Sequence, residues 1–351
     1  MPEVELAPEK FVGDTHPCFF IAEVGQNHQG SLEIAKKLID AAHEAGANCV
    51  KFQKTSLSDK FTKSALERPY DSEHSWGNTY GEHKLYLEFS LDDFIELKSY
   101  AEKRNLLFTA SAKDIPSLDF LVDLDVPFIK IGSGDSDDFL LLEKASKCGK
   151  PLIISTGMQN MNTVRQVYNT VKSHHDGFVL LHCVSSYPTD PVDVNLRVIQ
   201  QYKKEFQDIV VGYSGHELGT IISVAAVTLG AKVIERHITL DKNQKGSDHL
   251  CSLLPQEFKQ MVTDIRTIES ALGSRNKEFL PCERKCFEKL GKSIVAAKDL
   301  LPGDIISKND VCMKVSVPNG IPAKDLNSVL ESEITETVHY DQPILKNHLK
   351  I

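Results

Sequence analysis

At 351 residues, with 41% hydrophobic and 25% charged side chains, the chain has a globular composition and is somewhat long for one barrel-sized domain. Its net charge of −9 argues against a broad nucleic-acid interface, and no apolar run reaches the ~20 residues of a membrane span. The acidic start MPEVELAPEKFVGD lacks the apolar core of a targeting segment, and eight cysteines without a CxxC spacing read as reduced thiols of a cytoplasmic protein.

Eight short apolar runs follow, nearly all ending in polar or ionisable residues. The first is CFFIAEVG (18–25), succeeded by a helical stretch at 31–46 with Ser31 as N-cap and Gly46 as stop. In that helix Leu32, Ala35, Leu38, Ile39 and Ala42 share one face. ANCVKFQK (47–54) is second. A long polar and aromatic stretch, 57–90, then precedes a helix at 92–104 and the third run, LLFTAS (106–111). A loop of that length on a catalytic face predicts a substrate lid, with a solvated surface insertion as the alternative. VPFIKIGSG (126–134), PLIISTG (151–157), FVLLHCVSSY (178–187), DIVVGYSGH (208–216) and KVIERHITL (232–240) complete the runs. Helical stretches at about 138–148, 160–173, 195–206, 217–229 and 256–272 lie between and after them. This alternation predicts a (β/α)8 TIM barrel over 1–280, with the C-terminal strand ends as its active-site face. Residues 281–290 read as a linker, and 291–351 as a small, mostly β domain.

The strand ends supply the candidate residues. Neighbours two apart share a face, which pairs Lys51 with Gln53, Ser214 with His216, and Glu235 with His237. His216 and His237 end adjacent strands, where two neutral imidazoles can hold a divalent metal; a hydrogen-bonded structural pair is the alternative. Glu23 suits a general base or a substrate-hydroxyl contact, or else a salt bridge to Lys51. Lys51 and Lys130 follow apolar residues in core strands, a costly position unless an anion meets them. Thr109, Ser133, Ser155 and Ser214 add hydroxyls, and Gly132 and Gly134 allow close backbone approach, so the ring reads as a cradle for phosphate and carboxylate oxygens. A Schiff-base lysine is the mechanistic rival.

The runs IAEVGQNHQGS, VKFQK, PFIKIGSGD, ISTGM, GYSGHE, VIERHITLDK and GSDHLCSL resemble, in order, the motifs of the sialic acid synthase family. GQNHQG, ALERPYDSEHSWGNTYGEHK and GEHKLYLEFS are similar to its animal branch, and the text from GKSIVAAKDLLPGDIIS resembles the antifreeze-like (SAF) domain that ends these enzymes. The resemblance implies condensation of phosphoenolpyruvate with N-acetylmannosamine 6-phosphate, giving N-acetylneuraminate 9-phosphate and phosphate. Mannose 6-phosphate is a further acceptor, leading to the deaminated (KDN) 9-phosphate, and unphosphorylated N-acetylmannosamine the alternative. It implies Mg2+ or Mn2+ on His216 and His237, and Glu23, Lys51 and Lys130 as the catalytic set. Lys51, Thr109, Lys130, Ser133, Ser155 and Ser214 match the phosphoenolpyruvate cradle, while Gln53, Tyr187 and Asp248 match sugar contacts.

The sugar's 6-phosphate is expected in the 57–90 insertion, on Lys60, Lys63 and Arg68. A domain-swapped homodimer is implied as well. Two departures stand out: Ser185 replaces an asparagine of bacterial relatives, and Lys314 and Val315 stand where those relatives carry an acetyl-contacting arginine. The C-terminal segment read as an ice- or carbohydrate-binding module is the competing idea, opposed by its charges at Lys298, Asp299, Asp304, Lys308, Asp310, Lys314 and Lys324.

Overall fold

Each of the eight apolar runs folds as a parallel strand of one closed barrel. A short antiparallel hairpin precedes them, β1 (Glu3–Ala7) and β2 (Lys10–Gly13). The barrel strands are β3 (Phe19–Glu23), β4 (Cys49–Lys54), β5 (Leu107–Ala112), β6 (Ile129–Ile131), β7 (Leu152–Ser155), β8 (Phe178–Cys183), β9 (Val210–Gly215) and β10 (Val233–His237). Sequential strands pair throughout, and β10 returns to β3 to close the ring. The computed structural model describes residues 2–350, and the chain parts after Gly273 into two units, taken separately below.

The strands are apolar on both faces because both are covered. Outward residues such as Phe20, Val50, Phe52, Ile129, Ile154 and Val211 pack with the helices. Inward residues Phe19, Ile21, Cys49, Phe128, Ile153, Val179, Leu181, Val210 and Val233 fill the barrel interior. The helix Leu32–Glu44 begins as its sequence predicts: Ser31 accepts a hydrogen bond from the Ile34 amide, and Leu38 and Ile39 face the core.

The acidic start folds as the N-terminal hairpin. Val4 and Leu6 alternate with glutamates, so one face of β1 is apolar. With Val12 they join the inner cluster, closing the barrel at the N-terminal end of its strands.

The 57–90 insertion is helical rather than an irregular loop, with short helices at Leu57–Lys60, Lys63–Glu67 and Tyr80–Leu87. Thr79 and Glu82 form a capping box at the last of these. Trp76 stacks on His83 and Tyr86, with ring centroids 5.6 and 5.3 Å apart, and Lys245 lies 5.2 Å over the Trp76 ring. The insertion crosses Gly30, whose φ of +71° and open α-carbon let the Tyr86 carbonyl approach; a β-carbon there would lie 2.4 Å from that oxygen.

The second unit pairs β11 (Ser293–Ala296) with β12 (Val311–Lys314) and is otherwise built of turns and isolated bridges. Ile294, Leu300, Ile306, Val329, Ile334, Val338 and Ile344 form its core. The stretch expected as a linker holds a 3-10 turn at Pro281–Glu283 and a helix at Arg284–Leu290, started by Pro281. No described helix is long and apolar enough to cross a membrane.

Candidate active site

Inside the barrel the side chains change from apolar to polar toward the C-terminal strand ends. Strand register sets Lys51 beside Glu23, Ser111 beside Lys130, Ser214 beside both Cys183 and Glu235, and His237 beside Glu23. These residues line a cavity of about 510 Å³.

Its floor is a charged cluster out of contact with water. The Lys51 ammonium lies 2.6 Å from Glu23 Oε2 and 3.7 Å from Glu235 Oε1, and donates to Ser111 Oγ at 3.0 Å. Lys130 lies 3.8 Å from the same Glu235 oxygen and donates to Ser155 Oγ at 2.7 Å. Two cations thus share one carboxylate, and the environments of the two glutamates diverge. Burial pushes the Glu23 carboxyl above its ordinary range, only partly opposed by Lys51. Burial acts on Glu235 too, but Lys130 and Lys51 outweigh it and hold this carboxyl below its ordinary range. Burial also pulls the Lys130 ammonium down. Glu23 Oε2 has no hydrogen-bond partner besides its ion pair, and Glu235 Oε2 has none.

Above the floor, His216 and His237 have ring centroids 5.3 Å apart, with the Tyr187 ring 4.1 Å from His216. His216 Nδ1 lies 2.9 Å from the Val184 carbonyl; donating there, it leaves the Nε2 lone pair free. His237 Nδ1 is buried without a hydrogen-bond partner, 3.8 Å from Asp248 Oδ2. Burial pushes the His237 imidazole down to about 4, which keeps it neutral. Two imidazoles, one with Nδ1 turned to a backbone carbonyl and one with an orphaned buried nitrogen, fit a divalent cation that leaves its other positions to water and substrate oxygens. No group of three or more His, Cys, Asp or Glu side chains is arranged to hold a metal among the described residues.

Of the residues singled out in the sequence, Glu23, Lys51, Gln53, Lys60, Lys130, Ser133, Ser155, Tyr187, Ser214, His216, His237 and Asp248 all line this cavity. Three do not. Thr109 sits one layer lower, fully buried, its hydroxyl donating to the Phe128 carbonyl at 2.6 Å; Ser111, two residues on, takes the expected position. Lys63 points to solvent and pairs with Glu67 one helical turn away, at 3.7 Å. Arg68 is exposed, its guanidinium 4.1 Å over the Tyr80 ring, and is not part of the cavity lining. Lys84 and Lys113 line the cavity instead, and sequence reasoning missed both. Lys113 directly follows β5, a position the barrel rule for strand ends would have flagged.

Ser185 also lines the cavity, with its hydroxyl unpartnered. Both Ser185 and Ser133 crowd Gly157, where a β-carbon would lie 2.3 and 2.7 Å from their hydroxyls.

The fold and site together define a (β/α)8-barrel enzyme built for a small, multiply anionic substrate. Its residues 38–277 match the NeuB family and residues 291–350 the SAF domain. The chain belongs to the NeuB family. It is 54% identical to N-acetylneuraminate-9-phosphate synthase of Homo sapiens, over 98% of this chain and 96% of the human protein. With the Drosophila melanogaster protein of the same name the identity is 50%, over 94% and 95%. Among solved structures it is similar to the N-acetylneuraminic acid synthetase of Leptospira borgpetersenii in complex with citrate, with a TM-score of 0.73 and 33% identity over 82% of this chain and 95% of that one.

Proposed function

We propose that the chain is an N-acetylneuraminate-9-phosphate synthase, condensing phosphoenolpyruvate with N-acetylmannosamine 6-phosphate to give N-acetylneuraminate 9-phosphate and inorganic phosphate. The observation that carries this reading is the buried floor, where Lys51 and Lys130 share Glu235 and are ringed by serine hydroxyls. Two ammonium groups at that depth suit a molecule carrying both a carboxylate and a phosphate. The near full-length kinship with the animal synthases supports the substrate pair.

In this reading Lys51 and Lys130 hold the anionic groups of phosphoenolpyruvate, with Ser111, Ser133, Ser155 and Ser214 donating hydroxyls to them. Carbon 3 of the enol attacks the aldehyde carbon of the open-chain sugar, and water then adds at carbon 2. Phosphate leaves from the tetrahedral intermediate by C–O cleavage. Glu23 takes the proton of the adding water, since burial makes its carboxylate a stronger base than usual. Gln53 Nε2 donates to Glu23 Oε1 at 2.9 Å and fixes its direction. Glu235, ionised between two lysines, balances their charge as the phosphate departs. Gln53, Tyr187 and Asp248 contact the sugar.

His216 and His237 would hold the divalent cation, Mg2+ or Mn2+; when bound it supplies Lewis acidity at the sugar's aldehyde oxygen. The homodimer and the cytoplasmic setting implied by the resemblance belong to the same reading, and sedimentation of the full chain as a monomer at micromolar concentration would remove the first.

The test is phosphate release from phosphoenolpyruvate with Mn2+ present, comparing N-acetylmannosamine 6-phosphate, N-acetylmannosamine and mannose 6-phosphate. Preference for the N-acetylated phosphosugar, abolished by EDTA and restored by Mn2+, is expected. Preference for the unphosphorylated sugar would overturn the substrate assignment, and undiminished turnover in EDTA the metal.

A further inference from the structure

The cavity balances most of its cations. Lys51 and Lys130 face Glu23 and Glu235 on the floor, and Lys60 pairs with Asp135 at the rim. Lys84 and Lys113 are different: among the described residues neither makes an ion pair, although both line the cavity. Lys84 donates to Gln26 Oε1 at 3.1 Å, and Lys113 to Gln53 Oε1 at 2.6 Å. Both partners are neutral amides, so neither ammonium is in direct contact with a carboxylate.

Their surroundings make this costly. Burial pulls the Lys84 ammonium down to about 8, helped by the neighbouring Lys113, and burial likewise depresses Lys113. The two half-buried cations repel one another and Lys60 adds to the repulsion on each, while Asp248 and Glu88 offset this only in part at Lys84, and Asp135 and Glu23 only in part at Lys113.

Position identifies the anion. Lys84 stands on the insertion helix Tyr80–Leu87, and Lys60 at the end of the insertion helix Leu57–Lys60, donating to the Lys113 carbonyl at 3.4 Å. The three therefore converge at the side of the mouth roofed by the 57–90 insertion, with Phe61 and Tyr80 beside them. Gln53 connects this corner to the floor: Lys113 donates to its oxygen, and its nitrogen donates to Glu23. A ligand whose reacting end lies near Glu23 and whose charged end lies at Lys84 and Lys113 would reach across the Gln53 bridge, an arrangement that suits a sugar carrying a terminal phosphate.

We propose that Lys84 and Lys113, with Lys60 alongside, bind the terminal phosphate monoester of the acceptor sugar and set the preference for a phosphorylated over an unphosphorylated acceptor. This rests on the synthase reading above and replaces Lys63 and Arg68, which lie outside the cavity, as the phosphate ligands. An entering dianion adds counter-charge, and a charge-assisted hydrogen bond from each ammonium favours the phosphosugar.

The test uses the full chain with Mn2+, in the single variants Lys84→Met and Lys113→Met, with folding checked by thermal melting. Initial phosphate release is measured against N-acetylmannosamine 6-phosphate and N-acetylmannosamine, with mannose 6-phosphate as a second phosphorylated acceptor. The expected result is a KM for the phosphosugar raised about tenfold to a hundredfold, the range of one charged hydrogen bond. The ratio of kcat/KM for phosphorylated over unphosphorylated acceptor should fall by the same factor, and the KM for mannose 6-phosphate should rise in parallel. Lys84→Arg, which keeps the charge, should restore most of the ratio and serves if Lys84→Met does not fold. An unchanged ratio in folded variants would overturn the proposal, as would a rise confined to the KM for phosphoenolpyruvate. Failure of the synthase reading itself would look different, because the unmodified protein would then show no preference for the phosphosugar.

Discussion

Glu23 and Glu235 are chemically identical side chains that touch the same ammonium, yet their surroundings push them in opposite directions. Such divergence separates a proton carrier from a fixed counter-charge. Glu23→Gln is expected to lower kcat by about 10²–10⁴-fold, the usual worth of a positioned general base, while the KM for phosphoenolpyruvate moves only a few-fold; steady-state kinetics decide it. A large rise in that KM with kcat preserved would instead make Glu23 a binding group.

Lys84 gives a pH dependence of definite sign. Its folded-state value of about 8 lies below the ordinary lysine value, so it carries charge below pH 8 and loses it above. The KM for the phosphosugar should therefore rise as pH passes about 8, and Lys84→Met should flatten that rise.

At this scale the sequence was legible where a strand fixes the side chain and illegible where it does not. Parity alone pairs Lys51 with Gln53 and Glu235 with His237, but it leaves the depth along the strand open, so it does not tell Thr109 from Ser111 two residues on. On the insertion, charge alone could not separate Lys84, aimed inward from its helix, from Lys63, aimed outward.

Elements hold those residues in register. Arg236 is fully buried between the ends of β9 and β10, donating from Nη1 to Glu217 Oε1 at 2.8 Å and from Nη2 to the Glu217 carbonyl at 2.5 Å. Tyr213 donates to the second oxygen of the same carboxylate at 2.7 Å. The link ties the residue after His216 to the residue before His237, so it braces the distance between the two imidazoles. A buried pair broken by removing one partner costs about 3–5 kcal/mol, and Arg236→Met is expected to lose that much in chemical denaturation.

The alternation of strands and helices, and several caps, were readable because each follows a local periodicity. The hairpin escaped notice because two short strands carry too few apolar residues to stand out, and only the barrel interior gives Val4, Leu6 and Val12 something to cover. Leu6→Ala should accordingly lower stability by about 2–5 kcal/mol, a typical core truncation, with the KM for phosphoenolpyruvate unaffected. Urea unfolding and steady-state kinetics separate the two effects.

At the level of the whole molecule, two units each own a core, and the cavity belongs to the first. Stabilisation by a ligand reaches only the unit that binds it. In calorimetry, phosphoenolpyruvate at a hundred times its Kd should stabilise the barrel by about 2.7 kcal/mol and leave the unfolding of the second unit where it was. A common shift of both would mean that the units unfold as one.

The sealed N-terminal end of the barrel has one more consequence. With the interior packed below the floor, reactants come and go through the C-terminal mouth. Whatever rests on the floor must arrive before its companion and wait behind it. On the proposed reading the enolpyruvyl donor would load first, the sugar would close over it, and the long product would have to clear the doorway before the small inorganic ion beneath could follow. The barrel works as a queue in which the first arrival's remnant is the last to leave.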